Sequence, residues 1–198
     1  MSSALALASV TALLKDLLEN GLASSGVTAK LGGDASVSAL PPDRVSSGTD
    51  EKAQLNLFLY HVAPRSVLRQ PAANGPRPLT LELHYLLTAY GAQDYQTEIL
   101  LGHALQLLHE CPVIEKEKIR STLKSLSHSR DRRVIPAPQA ALAASTLADS
   151  CDRITVEAEF LSTEEISRLW SALQAKFRPS ATYKVSVVVI DGASPTKG

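Results

Sequence analysis

"LSTEEISRLWSALQAKFRPSATYKVSVVVID", Leu161 to Asp191, holds a capped helix, a short basic turn and a long β-branched strand. Ser162, with Glu165 three residues later, matches the capping-box pattern, in which each side chain satisfies the other residue's backbone N–H at a helix start. Tyr183, Val185, Val187 and Val189 then alternate with Thr182, Lys184 and Ser186, a period of two that makes one apolar and one polar strand face. A strand this late in the sequence either completes the interior of the chain's own sheet or offers an edge on which another chain can build. On the second reading Tyr183, Lys184, Val185, Ser186 and Val187 are the candidate edge residues.

Working outward, the same period recurs upstream. "RITVEAEF", from Arg153, reads as a strand. "KAQLNLFLYHVAPR", Lys52 to Arg65, sets Ala53, Leu55, Leu57 and Leu59 against Gln54, Asn56, Phe58 and Tyr60. "LTLELHYLLTAYG", Leu79 to Gly91, sets Leu79, Leu81, Leu83, Tyr85 and Leu87 against Thr80, Glu82, His84 and Thr88, and suits the preceding strand as an antiparallel partner. Between them "SVLRQPAANGPRP" reads as a long turn, made basic by Arg65, Arg69 and Arg77. Near-3.6 periodicity marks helices over Leu7–Leu18, with Asn20 and Gly21 as the stop, over the stretch after Asp94 as cap, and from about Glu115 to Leu126. Val27 to Glu51 reads as a loop-rich hairpin region, and the segment from Ser127 to Ser145 as irregular and exposed. The expected architecture is α+β: a mostly antiparallel sheet with helices packed mainly on one face, a single domain over 1–191 and a short flexible tail over 192–198.

Composition narrows the function. In 198 residues twenty basic side chains balance twenty acidic ones, so no overall field favours nucleic acid or an anionic membrane. The first helix lacks a basic n-region and is interrupted by Lys15, Asp16 and Glu19, which argues against a signal peptide or a membrane-inserted anchor. Cys111 and Cys151 have no paired spacing and read as reduced thiols of a cytosolic protein. Phosphate loops, nucleophile elbows and metal-ligand spacings are missing, and the five histidines lie apart in the sequence, so no cofactor or catalytic set is expected. The densest charge, "HSRDRR", carries Arg130, Arg132 and Arg133 without the aromatics that single-strand binders stack on, and reads as a solvated or protein-contacting loop.

Three stretches together, "NLFLYHVAPRSVLRQ", "PLTLELHYLLTAYGAQDYQTEILLGHALQLLHECPVI" and the opening quotation, resemble the cap or tail-terminator proteins of extracellular contractile injection systems of the antifeeding-prophage type, known by a shared amino-terminal domain. The resemblance runs from the first helix to the last strand and implies a fold similar to phage tail terminators. It also implies a structural role: a sixfold homo-oligomeric ring on the distal end of the inner tube and sheath that stops their growth, assembled in the cytoplasm on a particle that is later released. Arg65, Arg69, Arg77, Arg130, Arg132 and Arg133 are the expected ring or tube contacts, and the edge residues above the expected acceptor of a sheath strand. An adaptor or cargo-binding module of the same particle is the alternative, and a small hydrolase using His84 or His109 the alternative from another class.

Overall fold

The computed structural model describes residues 5–45, 48, 51–65, 79–127, 137–142 and 145–190. Its centre is a six-stranded sheet of β1 (Ser36–Ser38), β2 (Gln54–Pro64), β3 (Leu79–Tyr90), β4 (Val113–Glu115), β5 (Arg153–Glu159) and β6 (Ser180–Ile190), in the order β1-β2-β3-β6-β5-β4. All pairings are antiparallel except β1 with β2. The α+β architecture expected from alternation is therefore present, with one parallel pair added.

One face of the sheet is core. Leu55 and Leu57 of β2, Leu81, Leu83, Tyr85 and Leu87 of β3, and Tyr183 and Val185 of β6 are all buried, as their period of two requires. Helix α1 (Ala6–Ser24) lays Val10, Leu13, Leu14 and Leu18 on this face, and α3 (Gln96–Glu110) adds Leu100, Ala104 and Leu108. Thr11 Oγ1 and Tyr85 OH share a hydrogen bond of 2.9 Å, so the one polar atom of that buried ring is satisfied, and burial raises the phenol's pKa. Ile119 and Leu123 of α4 (Lys116–Ser127) join the same core.

The other face is covered at one end by α7 (Thr163–Ala172), whose start is the capping box: Ser162 Oγ accepts from Glu165 N at 3.2 Å and Ser162 N donates to Glu165 Oε2 at 2.8 Å. Trp170 is buried, and its indole N–H donates to Ser180 Oγ at 3.3 Å on the face that Thr182 shares. Leu86, Thr88 and Tyr90 on that face are buried too.

Several local expectations are corrected. Gly21 does not stop α1, which continues to Ser24; Gly26, at φ 66°, follows its last turn. Gly21 sits where α1 meets α3, and a Cβ there would lie 2.3 Å from Leu107 Cδ2. Asp94 does not cap α3. The N-cap is Tyr95, exposed and at φ 68°, and the end is fastened instead by Gln96, whose Oε1 accepts from Gln93 N and whose Nε2 donates to Leu31 O. The region after α1 is a short helix α2 (Val27–Lys30), β1 and a 3₁₀ turn at Pro42–Arg44 rather than a hairpin. The segment read as exposed contains α5 (Ala137–Leu142), with Leu142 buried, and is followed by α6 (Leu147–Ser150), with Leu147 and Ala148 buried.

Replacing the left-handed Tyr95 with glycine should raise stability by about 1 kcal/mol, because the Cβ clash of a positive φ is removed. Gly21→Leu should lower it by about 1–3 kcal/mol through overpacking against Leu107. Urea unfolding midpoints of the two variants check both signs.

Candidate functional site: the open edges of the sheet

The sheet is bounded by two very short strands, and this decides where another chain could pair. β1 covers β2 only at Gln54, Leu55 and Asn56. Beyond Asn56 the β1 chain is drawn away: the buried Asn56 side chain donates from Nδ2 to Leu40 O at 2.9 Å and accepts at Oδ1 from Leu40 N at 3.0 Å and Ser38 Oγ at 2.7 Å. One amide thus replaces the ladder that would have continued along β2, and among the described residues none pairs with the β2 edge from Leu57 onward. At the other side β4 covers β5 only at Arg153, Ile154 and Thr155, with one further bond from Val156 N to Pro112 O at 2.8 Å. Among the described residues none pairs with that side of the remainder of β5 either.

β6 is not an edge. Thr182 to Ser186 are paired with β5 on one side and β3 on the other, so Tyr183, Lys184, Val185 and Ser186 have no free ladder, and Val187 lies at a register shift against β3. The expectation of an edge at Tyr183–Val187 is therefore corrected: the strand is interior, and the sides of the sheet without a described partner belong to β2 and β5. Of the expected basic contacts, Arg65 is exposed at the end of β2 with Nε 3.8 Å from Glu82 Oε1. Arg69, Arg77, Arg130, Arg132 and Arg133 lie outside the described residues.

Beside the open β2 edge, between it and α1, runs an apolar groove of about 540 Å³ lined by Ala8, Thr11, Ala12, Leu57, Leu59 and Leu142, with Lys15 and Glu19 ion-paired at its rim. The other face of β2 carries a polar cluster. A bulge at Tyr60 puts both Tyr60 and His61 opposite His84, with the two imidazoles 5.1 Å apart. Tyr60 OH donates to Glu159 Oε2 at 3.1 Å, and His84 Nδ1 lies 2.9 Å from the same oxygen. Burial, then the charge and hydrogen bond of Glu159, push the Tyr60 phenol well above its usual range. Lys184 Nζ, 3.4 Å from Glu157 Oε2, extends the cluster across the strands. Hydroxyl and imidazole are both engaged with one carboxylate, a stapling arrangement rather than a nucleophile–base pair. The Cys151 thiol, raised chiefly by burial, donates to Arg153 O at 2.9 Å.

At the end of the sheet where β6 begins, Arg178 makes a bidentate pair with Glu51 at 2.7 Å for each bond, and its guanidinium lies 4.7 Å from the Tyr90 ring centroid. Glu51 Oε1 also accepts from Gly91 N at 2.8 Å. Burial opposes ionisation of Glu51, but the Arg178 hydrogen bonds, the Gly91 amide and the guanidinium charge outweigh it and hold the carboxyl below its ordinary value. No sequence motif announces this clamp, since its members are 127 residues apart.

The Pvc16 N-terminal domain family matches residues 9–198, and the chain belongs to that family. Two solved structures are similar at low identity. The sheath/tube terminator of the extracellular contractile injection system PVC in its extended state is 18% identical, with a TM-score of 0.47, over 90% of this chain and 59% of that one. The tube-terminating cap of the anti-feeding prophage is 16% identical, with a TM-score of 0.48, over 88% of this chain and 54% of that one. The chain therefore spans little more than half the length of those proteins. No curated protein matches.

A folded-state Glu51 pKa below the unfolded one adds stability that is complete above about pH 4.5 and is lost as pH falls through the lower, folded value. Glu51→Gln should flatten that part of the acid limb of a stability–pH profile measured by urea unfolding. Arg178→Met should cost about 3 kcal/mol at pH 7, because it strands a buried carboxylate. Asn56→Leu should cost about 1–3 kcal/mol by leaving the Leu40 backbone unsatisfied.

Proposed function

We propose that this chain is a structural subunit that closes the distal end of the inner tube and sheath of a contractile injection particle, as a sixfold ring that stops further subunit addition. The observation that carries the reading is the extent of the family match, residues 9–198, which takes in every described element except the first residues of α1. The motifs that resemble cap proteins fall on structural elements: "LHYLLTAYG" is the central β3, "EILLG" the first half of α3, and the opening quotation α7 and β6. The names of the two similar structures, a sheath/tube terminator and a tube-terminating cap, agree with it.

On this reading the partners are further copies of the chain, the inner tube protein and the sheath protein, with assembly in the cytoplasm and later release on the particle. None of the described helices is long and apolar enough to cross a membrane. The basic side chains Arg65, Arg69, Arg77, Arg130, Arg132 and Arg133 serve as contacts to tube or ring neighbours. Arg65, directly after β2, is exposed.

Negative-stain electron microscopy of particles made with and without the gene tests the role. Deletion should give overlong, uncapped or sheath-free tubes, and charge reversal at Arg132 and Arg133 should shift the length distribution the same way. Unchanged lengths with intact distal ends on deletion would reject it.

A further inference from the structure

The two open edges match each other. Leu59 of β2 is level with Tyr85 of β3, Tyr85 with Tyr183 of β6, and Tyr183 with Ala158 of β5, so Leu59 and Ala158 lie on one line across the sheet. Phe58, Leu86, Thr182 and Glu159 form the next line. The open stretch of β2 and the open stretch of β5 are therefore at the same height, and the two strands run in opposite directions. A copy placed beside another in the same orientation would bring β5 against β2 antiparallel, with no step along the strands. A head-to-tail contact without such a step is the kind that a rotation can close into a ring.

Backbone and side chains agree with this placement. Val156 N already points outward to Pro112 O, so by the alternation of a strand Ala158 is the next residue whose N–H and C=O both face away from β6. On β2, Ser36 N bonds Ala53 O, which directs the backbone of Leu57 and Leu59 toward the side that β1 vacates after Ser38. Ala158 can then exchange two hydrogen bonds with Leu59, and Phe160 N–H can reach the Leu57 carbonyl. Residues opposite one another in such a ladder point to the same face. Leu57 and Leu59 point into the groove beside α1, so Phe160 would point there also. Phe160 is 99% exposed and Ala158 is exposed, an arrangement that leaves a large apolar ring in water in the isolated chain. A groove of about 540 Å³ has room for it.

We propose that the open end of β5 in one copy adds to the open edge of β2 in the next, with Phe160 seated in the groove formed by α1, Leu57 and Leu59. The contact rests on the ring in the reading above and names its interface.

The test is Phe160→p-benzoylphenylalanine, irradiated both as the purified chain and in assembled particles, using mixed light and isotope-labelled chains. An inter-chain crosslink from position 160 to the α1 segment around Ala8 and Ala12 is expected in the particles. Ala158→Pro removes an outward-facing N–H and none of the bonds to β6, so it should reduce the crosslink roughly tenfold, with a melting temperature within a few degrees of the parent as the check that β5 still pairs. Crosslinks to sheath or tube protein instead, no inter-chain crosslink in capped particles, or a crosslink indifferent to Ala158→Pro would each overturn the proposal. Capped particles without the crosslink would leave the capping role standing, whereas normal ends after gene deletion would remove that role alone.

Discussion

The insertion of β6 between β3 and β5 is the constraint from which the rest of the molecule follows. Ten register pairs join β6 to Leu79–Thr88, about a hundred residues earlier, and five more join it to β5. Without it the β1–β2–β3 ladder and the β4–β5 pair would be separate small units, the second of them two-stranded and marginal in water. With it they share one core face, which α1, α3 and α4 can cover together. The Glu51–Arg178 clamp stands where the chain enters β6 and ties that entry to the start of β2 and the end of β3.

The parts of this architecture that are legible in the sequence are those governed by local period. Alternation in Leu81–Leu87 and Thr182–Ser186 assigns the core face correctly, and the Ser162–Glu165 capping box starts α7 where its pattern predicts. Illegible features are set by what lies across space. Gly21 has the signature of a helix stop, yet its missing side chain admits Leu107 of a helix that begins 75 residues later. Asp94 is a good cap by composition, but Gln96 competes successfully because its amide reaches both Gln93 and Leu31. The strand order follows from no periodicity at all, so Tyr183–Val187 fits an edge strand and an interior strand equally well until its neighbours are known.

The polar face shows the same limit. His61 and His84 are 23 positions apart and neither belongs to a motif, but the bulge at Tyr60 turns two consecutive β2 side chains toward one β3 residue. A break in phase is visible in hindsight, since Val62 rather than His61 packs against the core after Leu55, Leu57 and Leu59. Such a bulge has a second effect, because it interrupts the straight edge that a foreign strand would need.

Open edges are hazardous, and the way this chain limits them bears on what they are for. Asn56 ends β1 early, at the cost of burying a polar side chain that must be fully bonded, although a longer β1 would have covered the β2 edge more simply. The exposed ladder is then cut to a short window by the bulge at Tyr60 and by Pro64 at the end of the strand. A window that short suits a partner strand of matched register with an apolar side chain for the adjoining groove, and disfavours indiscriminate addition. The uncovered end of β5 meets those terms, with Ala158 and Phe160 at the right height and on the right face. Each copy thus carries both halves of one complementary contact, and the lack of a step between them favours a closed assembly over an open filament.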